Sequence, residues 1–258
     1  MPEFAAPVTG RFCWVELQAK DPSVAKKFYA EVFGWSYDEM PMGELTYNIA
    51  KLGGKQVAGL MPMMPQAAQM GAPPNWGVYV AVDNVPTATD AAAKLGAKVL
   101  VPPSPMGPGT FSVLADPAGG VFMLWHTTQS MGPFLYGEPG ALAWNELLTS
   151  NIDVAQRFYT QLFGWSAEPF GDKGYIVVKK GSDMVGGLMP QPPEMKGAPS
   201  FWATYFSVTD ADATFAKAVK AGAKPQMPLT DIPNVGRFAW LEDPQGAVFA
   251  ILKSTNPA

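Results

Sequence analysis

Two glutamates in matching sequence surroundings are the residues best suited to chemistry. Glu16 lies two positions after Trp14, and Glu146 lies two positions after Trp144. Side chains alternate along a β-strand, so each glutamate shares a sheet face with its tryptophan. A carboxyl on an apolar face is costly unless it is hydrogen-bonded, and the same surroundings raise its pKa towards that of a general base. Glu16 and Glu146 are therefore candidate catalytic residues, with ligand binding and a structural hydrogen bond as alternatives.

Aromatic side chains on the predicted strands would form the walls of a binding pocket around these carboxyls. The chain contains 8 Trp, 8 Tyr and 15 Phe, and most of them must serve core packing because each ring buries a large apolar area. Trp14 and Trp144 accompany the glutamates and are the strongest candidates for ligand contact. The predicted ligand-binding residues are Trp14, Tyr47, Trp76, Tyr79, Met123, Trp125, Trp144, Tyr175, Trp202, Tyr205 and Arg237.

The remaining chemically distinctive side chains are few. Arg237 could pair with an acid such as Glu146, bind a ligand carboxylate through two N–H groups, or form a surface ion pair. His126 is the only histidine, which excludes a His–His metal pair within one chain, and we expect it at the surface. Cys13 is the only cysteine, so no internal disulfide can form, and we expect a packed thiol.

Composition narrows the classes of partner and location. The net charge of −4 and the absence of a basic run predict neither nucleic-acid binding nor attraction to an anionic membrane. No apolar run approaches the roughly 20 residues of a membrane-spanning helix. The start, MPEFAAPVTGRF, lacks the basic and apolar regions of a signal peptide, and we expect a cytoplasmic protein.

An internal repeat organises the chain. Phe28-Tyr29 recurs as Phe158-Tyr159, and Asp116-Pro117 recurs as Asp243-Pro244, at nearly constant spacing. Such spacing indicates two copies of one domain with small differences in loop length. We predict domains over residues 8–128 and 141–256, joined by a Gly- and Pro-rich linker over 129–140.

Each copy combines strand and helix patterns in the same order. Asp21 and Pro22 predict the start of a helix whose buried face repeats at helical spacing up to Phe33, and Gly34 ends it. Asp83 is the expected cap of a second helix. The Met-rich run Met61–Met70 connects two units and is expected to form a lid or to pack on the other domain. The predicted strands of the first copy are Phe12–Gln18, Thr46–Leu52, Gln56–Met61, Trp76–Val82, Lys98–Val101, Thr110–Leu114 and Val121–Trp125.

The order of these elements, with F-Y-x-x-x-F-G-W from Phe28 and D-P-x-G from Asp116, resembles the vicinal oxygen chelate superfamily. That superfamily includes glyoxalase I, extradiol dioxygenases and bleomycin-resistance proteins. The resemblance covers about residues 11–125 and 141–253 and is strongest to tandem-domain, glyoxalase-like proteins of actinobacteria. It implies an α+β fold of two tandem glyoxalase/bleomycin-resistance-like domains. Each domain would comprise two βαβββ units that enclose a cup.

The resemblance also implies a metal that chelates two neighbouring oxygens of the substrate, held by ligands at four positions of a domain. None of the residues at these positions supplies a hard donor, and Met suits Cu(I) at best. We therefore expect no family-type metal and no other cofactor, with a noncanonical divalent metal on carboxylates as the alternative. The positions are occupied by Trp14, Gly59, Gly77 and Met123 in the first domain, and by Trp144, Gly187, Ala203 and Ala250 in the second.

Three functions are compatible with these features. The first is a metal-independent protein that binds or sequesters small aromatic or apolar molecules. The second is a lyase-, isomerase- or dioxygenase-type enzyme that uses Glu16 or Glu146 as a base or holds a noncanonical metal. The third is an interaction protein with no small-molecule site. A small-molecule ligand is the expected partner, and four units in one chain can complete two cups in either a monomer or a homodimer.

Overall fold

The computed structural model describes residues 3–4, 7–43, 45–69, 71–129, 134–171, 174–195 and 197–255. Met70 of the Met-rich run, residues 130–133 of the predicted linker and residue 256 lie outside this part of the chain. The N-terminal half comprises, in order, β1 (Glu3–Phe4), β2 (Phe12–Ala19), α1 (Pro22–Phe33), β3 (Ser36–Met42), β4 (Leu45–Leu52), β5 (Lys55–Pro62), α2 (Pro65–Gln69), β6 (Asn75–Ala81), α3 (Val85–Lys94), β7 (Lys98–Met106), β8 (Gly109–Ala115) and β9 (Val121–Thr127).

The C-terminal half repeats this order after a short strand in the connecting segment. Its elements are β10 (Phe134–Leu135), β11 (Leu142–Thr149), α4 (Ile152–Phe163), β12 (Ser166–Phe170), β13 (Tyr175–Lys180), β14 (Asp183–Pro190), a 3₁₀ turn (Pro193–Met195), β15 (Phe201–Ser207), α5 (Ala211–Lys220), β16 (Lys224–Ile232), β17 (Gly236–Glu242) and β18 (Val248–Ser254). The two halves therefore form the predicted tandem α+β fold.

Each half forms one mixed sheet. The second sheet has the strand order β12-β13-β14-β11-β15-β18-β17-β16, and the first follows the same path with β3 and β4 next to β5. Two parallel pairs in each sheet, such as β2 with β5 and β6 with β9, mark the βαβββ units. The first sheet has two additional strands, since β10 pairs with β5 and β1 pairs with β10. The segment predicted as a linker is thus partly built into the first sheet.

Local signals account for the helices. Asp21 accepts a hydrogen bond from the Ser23 N–H at 2.8 Å, Pro22 occupies the first helical position, and Gly34 ends α1 with φ of 77°. The expected cap of α3 is wrong by one residue, because the Asn84 side chain accepts from the Thr87 N–H at 2.9 Å. Within the described residues, no helix is both long and apolar enough to cross a membrane.

Two edge strands differ from the predicted strands. β3 was not predicted, because most of its side chains are exposed and no apolar alternation marks it. β7 continues to Met106 through three prolines, five residues beyond its predicted end at Val101. An edge strand tolerates proline because one of its rows of backbone groups has no partner strand, so proline was a poor stop signal there.

The helix-covered faces of the two sheets pack against each other across the halves. Tyr29 of α1 donates a hydrogen bond to Asp243 of the second half at 3.1 Å, and Tyr159 of α4 donates to Asp116 of the first half at 2.8 Å. Aromatic contacts such as Phe33 with Phe206 and Phe122 with Phe158 fill the space between them. One apolar core therefore spans both halves, and the other face of each sheet remains available for a site.

Candidate functional site

The sheet faces opposite the helices form two candidate sites, one in each half. Each carries one glutamate on its central strand, surrounded by aromatic side chains from neighbouring strands. The N-terminal cup is defined by Trp14, Glu16, Tyr47, Tyr79, Met123 and Trp125. The C-terminal cup is defined by Trp144, Glu146, Tyr175, Tyr205, Trp240 and Ala250.

In the N-terminal cup, a hydrogen-bonded group of aromatic residues surrounds Glu16. The Tyr79 hydroxyl donates to Glu16 Oε1 at 3.0 Å, and the Trp14 indole N–H donates to the Tyr47 hydroxyl at 2.8 Å. Glu16 is only 1% exposed. Its carboxyl therefore lies at the base of the cup, held by tyrosine hydroxyls rather than by a cation.

The C-terminal cup repeats this arrangement and extends it. The Tyr205 hydroxyl donates to Glu146 Oε1 at 3.0 Å, and the Trp144 indole donates to the Tyr175 hydroxyl at 2.9 Å. Trp240 adds a further bond, since its indole N–H donates to the Tyr205 hydroxyl at 2.8 Å. The first half has Val113 at the corresponding place, so this outer bond exists only in the C-terminal cup.

Burial raises the pKa of both glutamates. The pKa of Glu16 rises from 4.5 to about 6 because desolvation of the carboxylate outweighs the opposing hydrogen bonds of Tyr47 and Tyr79. The pKa of Glu146 is raised for the same reason, opposed by Tyr175 and Tyr205. Each carboxyl can thus exchange a proton closer to neutral pH than an exposed glutamate, as a general base or acid requires.

Two buried polar atoms of the N-terminal cup have no hydrogen-bond partner among the described residues. They are Glu16 Oε2 and the Trp125 indole nitrogen. The Tyr47 hydroxyl interacts with the Glu16 carboxyl and lowers its pKa, but its geometry leaves Oε2 without a hydrogen bond. Buried polar groups are normally hydrogen-bonded, so a small polar molecule such as water can pair with these two atoms.

Side chains fill the positions where the superfamily would hold a metal. A Cβ on Gly59 would lie 2.7 Å from the Trp14 indole nitrogen and against the Tyr47 hydroxyl, and a Cβ on Gly77 would meet the Met123 methyl. In the second half, a Cβ on Gly187 would collide with the Tyr175 hydroxyl. No group of three or more His, Cys, Asp and Glu side chains among the described residues is placed to hold a metal. The residues therefore do not fit a metal of the superfamily type.

Trp76 and Trp202 were wrongly predicted to line the cups. The Trp76 indole donates to the Tyr29 hydroxyl at 3.0 Å, and the Trp202 indole donates to the Tyr159 hydroxyl at 3.1 Å. Both tyrosines belong to helices, so both tryptophans lie on the helix-covered faces. The physical reason is strand alternation: Trp76 and Tyr79 are three residues apart and must point to opposite faces.

Arg237 was also predicted to contact a ligand, but it points away from the C-terminal cup. Its guanidinium pairs with Asp212 at 2.9 Å and Asp231 at 2.7 Å, and both carboxylates are exposed. Asp212 belongs to α5, which covers the opposite face of the sheet. Of the three roles considered for Arg237, the geometry matches the surface ion pair.

His126 and Cys13 make backbone contacts outside the cups. His126 points away from the N-terminal cup, but it is partly buried rather than at the surface, with Nδ1 3.0 Å from the Val82 carbonyl oxygen. The Cys13 thiol donates to the Tyr79 carbonyl at 3.6 Å, and burial raises its pKa well above the ordinary value. The described part of the Met-rich run forms the end of β5 and the short helix α2.

Two further aromatic residues, which were not among the predicted ligand-binding residues, line the cups. Trp240 shares a face with Phe238 on β17, and this alternation was a usable signal. Phe134 of β10 packs against Trp14 with ring centroids 5.3 Å apart, although it lies in the segment predicted as a linker. A contact between a linker and a strand far away in sequence leaves no local pattern.

Comparison with known proteins places this geometry in a family context. Residues 141–251 match the Glyoxalase/Bleomycin resistance protein/Dioxygenase superfamily, and residues 14–125 match the Glyoxalase-like domain. The chain is 45% identical to a protein of Mycobacterium tuberculosis (strain CDC 1551 / Oshkosh) that carries the provisional name glyoxylase CFP32, over 93% of both chains. It is 32% identical to the anthracycline biosynthesis protein DnrV of Streptomyces peucetius, over 95% of this chain and 93% of that protein.

Solved structures share the fold at much lower sequence identity. The Mn(II)-bound glyoxalase from Novosphingobium aromaticivorans superposes with a TM-score of 0.63 at 16% identity, covering 97% of this chain and 86% of that chain. The 2,3-dioxygenase LapB from Pseudomonas sp. KL28 superposes with a TM-score of 0.65 at 15% identity, covering 98% and 94%. At such identities the likeness concerns the fold and not the chemistry.

Proposed function

The chain belongs to the glyoxalase/bleomycin resistance protein/dioxygenase superfamily, and within it we propose that it binds small aromatic or apolar molecules without a metal. The observation that carries this proposal is a buried carboxyl enclosed by aromatic rings, at a site whose metal-ligand positions hold Trp, Gly, Ala and Met. Aromatic walls bind planar molecules through stacking and area burial, and a few polar groups set their orientation. The relative named for anthracycline biosynthesis supports a planar polycyclic ligand, since that name denotes compounds of this class.

Quenching of intrinsic tryptophan fluorescence tests the proposal directly. The full-length protein would be titrated with planar aromatic compounds, including an anthracycline and a hydroxyanthraquinone, before and after exhaustive chelation and with its metal content measured. We expect saturable quenching with micromolar or tighter affinity that chelation leaves unchanged. The proposal fails if none of the compounds binds, or if binding disappears with the removal of a near-stoichiometric metal.

A second candidate function is an enzyme in which Glu16 or Glu146 acts as a general base. The raised pKa of the buried glutamates favours it, because a carboxyl whose pKa lies closer to the working pH is a more effective proton acceptor. This reading predicts slow turnover of a bound hydroxylated aromatic, detected as a change in product mass. Glu16→Gln or Glu146→Gln would abolish that turnover while the protein still binds the ligand. Binding without any product after prolonged incubation would contradict the enzyme function and support the binding function only.

A further inference from the structure

We propose that the two cups have different roles: the C-terminal cup binds the ligand, and the N-terminal cup is a closed structural copy. The inference rests on the proposed function, because it assigns the ligand of that function to one cup and narrows its chemical class. That class is a planar aromatic molecule, neutral or cationic, that directs an O–H or N–H donor at Glu146.

A methionine fills the N-terminal cup but not its counterpart. Met123 is buried, and its methyl group lies over Gly77, where a Cβ would collide with it. The sequence repeat places Ala250 at the position of Met123 and Ala203 at the position of Gly77. Both alanines belong to the apolar cluster of the C-terminal cup. That cup therefore has no counterpart of the Met123 thioether, although Met195 and Met227 pack against the edge of the same cluster.

The connecting strand β10 closes the N-terminal cup as well. Phe134 packs on the Trp14 ring, and β10 is hydrogen-bonded to β5 beside it. The repeat places Phe4 at the position of Phe134, so symmetry would put β1 beside β14 in the second sheet. β1 instead pairs with β10. Among the described residues, no strand therefore lies beside β14 at the equivalent place, and Met184 of β14 is 62% exposed.

Exposure of the matching tryptophan and glutamate on β2 and β11 agrees with this asymmetry. Trp14 is 5% exposed and belongs to the main core, whereas Trp144 is only partly buried. Glu146 is 6% exposed against 1% for Glu16. Partly exposed Trp144 and Tyr175 rings offer a planar molecule two apolar surfaces beside the carboxyl. The Glu146 carboxyl accepts hydrogen bonds and repels anions. Arg237, which could balance the negative charge of a ligand carboxylate, lies on the other face of the sheet.

Introducing the residues that fill the N-terminal cup into the C-terminal cup tests the assignment of the ligand. The double variant Ala203→Gly/Ala250→Met places in that cup the residues found at Gly77 and Met123, with room for the new methyl group. We expect it to weaken the binding of a hydroxyanthraquinone by about tenfold or more, a large change for a single filled subsite. Its twin, Gly77→Ala/Met123→Ala, reports on the N-terminal cup. Urea unfolding of both proteins confirms that they are folded.

Two single variants keep the test decisive if the double variant does not fold. Trp144→Phe is expected to remove most of the ligand-dependent quenching, and Trp14→Phe to remove little of it. Wild-type protein is expected to prefer a hydroxyanthraquinone to anthraquinone and to bind an anthraquinone carboxylate weakest. Glu146→Gln is expected to reduce the hydroxyl preference by about three- to tenfold, since a charge-assisted hydrogen bond becomes a neutral one.

The outcomes separate this inference from the function on which it rests. Loss of affinity or quenching only in the N-terminal variants would overturn the assignment of the ligand to the C-terminal cup. So would a loss in both sets of variants, or in neither. Strongest binding of the anthraquinone carboxylate would overturn the ligand class. Failure of every probe to bind the wild-type protein would instead refute the proposed binding function itself.

Discussion

At the scale of single residues, each cup depends on a carboxyl that folding removes from water. Glu16 is held by the Tyr79 hydroxyl at 3.0 Å and lies against Tyr47, and no cation among the described residues balances its charge. Tyrosine hydroxyls recover only part of the lost hydration, which is why the pKa rises instead of falling. The buried carboxyl is thus a stability cost at neutral pH that both cups retain, and in the C-terminal cup it lies at the proposed binding site.

This cost gives a pH dependence with a defined sign. The pKa of Glu16 is about 6 in the folded state and 4.5 in the unfolded state, so protonation of this carboxyl favours the folded state. This contribution to stability is fully present below about pH 4.5 and is lost as the pH rises through 6. The shift corresponds to about 2 kcal/mol in the free energy of unfolding. Between about pH 4.5 and 7, the free energy of unfolding of Glu16→Gln should therefore fall by about 2 kcal/mol less than that of the wild-type protein. Urea denaturation at several pH values measures this difference.

The exposed Glu168, which pairs with Lys179 at the surface, supplies the control. Glu168→Gln removes a solvated carboxyl by the same chemical change, so the pH profile of Glu16→Gln is compared with that of this variant as well as with the wild-type protein. Equal pH profiles for Glu16→Gln and the wild-type protein would show that the Glu16 carboxyl is solvated in the folded state.

At the scale of elements, the sequence predicted the strands with a buried face and missed those without one. β2 and β5 alternate or run apolar between clear turn residues, whereas β3 is an exposed edge strand whose sequence, Ser36 to Met42, has no apolar alternation. The errors at Trp76 and Trp202 have a different origin. Alternation places Trp76 and Tyr79 on opposite faces, and likewise Trp202 and Tyr205, but it does not show which residue of each pair lies on the helix-covered face. The contact of Phe134 with Trp14 could not be predicted, since nothing local links the connecting segment to the first strand.

The strand β10 should control access to the N-terminal cup. Phe134 is 6% exposed and packs against Trp14 with its ring tilted by 50°, so Phe134→Ala removes both the cover of the indole and buried apolar area. We expect the free energy of unfolding to fall by about 3 kcal/mol, near the lower end for a buried Phe→Ala change. Acrylamide quenching of tryptophan fluorescence should increase, because Trp14 becomes accessible to the quencher.

The same substitution in a Trp14→Phe protein shows whether the increased quenching comes from the Trp14 indole. In Trp14→Phe protein, the Phe134→Ala substitution should produce no comparable rise in quenching, since the indole it uncovers is absent. A rise of the same size in both backgrounds would mean that β10 covers some other tryptophan, or that the substitution loosens the fold generally.

At the scale of the whole molecule, the two halves are joined by a reciprocal pair of buried contacts. The F-Y-x-x-x-F-G-W segment, which supported the family resemblance, supplies them from both sides. The Tyr29 hydroxyl bridges Trp76 of its own half and Asp243 of the other, and Tyr159 does the same for Trp202 and Asp116. Each tyrosine hydroxyl accepts one hydrogen bond and donates another, so both of its neighbours rely on it. The helix faces that would otherwise contact water are thereby buried inside the chain.

The shared core predicts that the chain unfolds as one cooperative unit. Tyr29→Phe leaves the Trp76 N–H unsatisfied and removes a hydrogen bond from Asp243, which should lower the free energy of unfolding by about 1–3 kcal/mol. Tyr159→Phe should cost a similar amount, and the double variant should lose roughly the sum because the two sites share no partner. Tyr37→Phe is the matched control, since the buried Tyr37 hydroxyl has no hydrogen-bond partner in the described part of the chain and its removal should cost little. Circular dichroism and tryptophan fluorescence should follow the same urea transition in every variant. Two separate transitions, each sensitive to only one tyrosine, would mean that the halves fold independently and that their reciprocal contacts contribute little to stability.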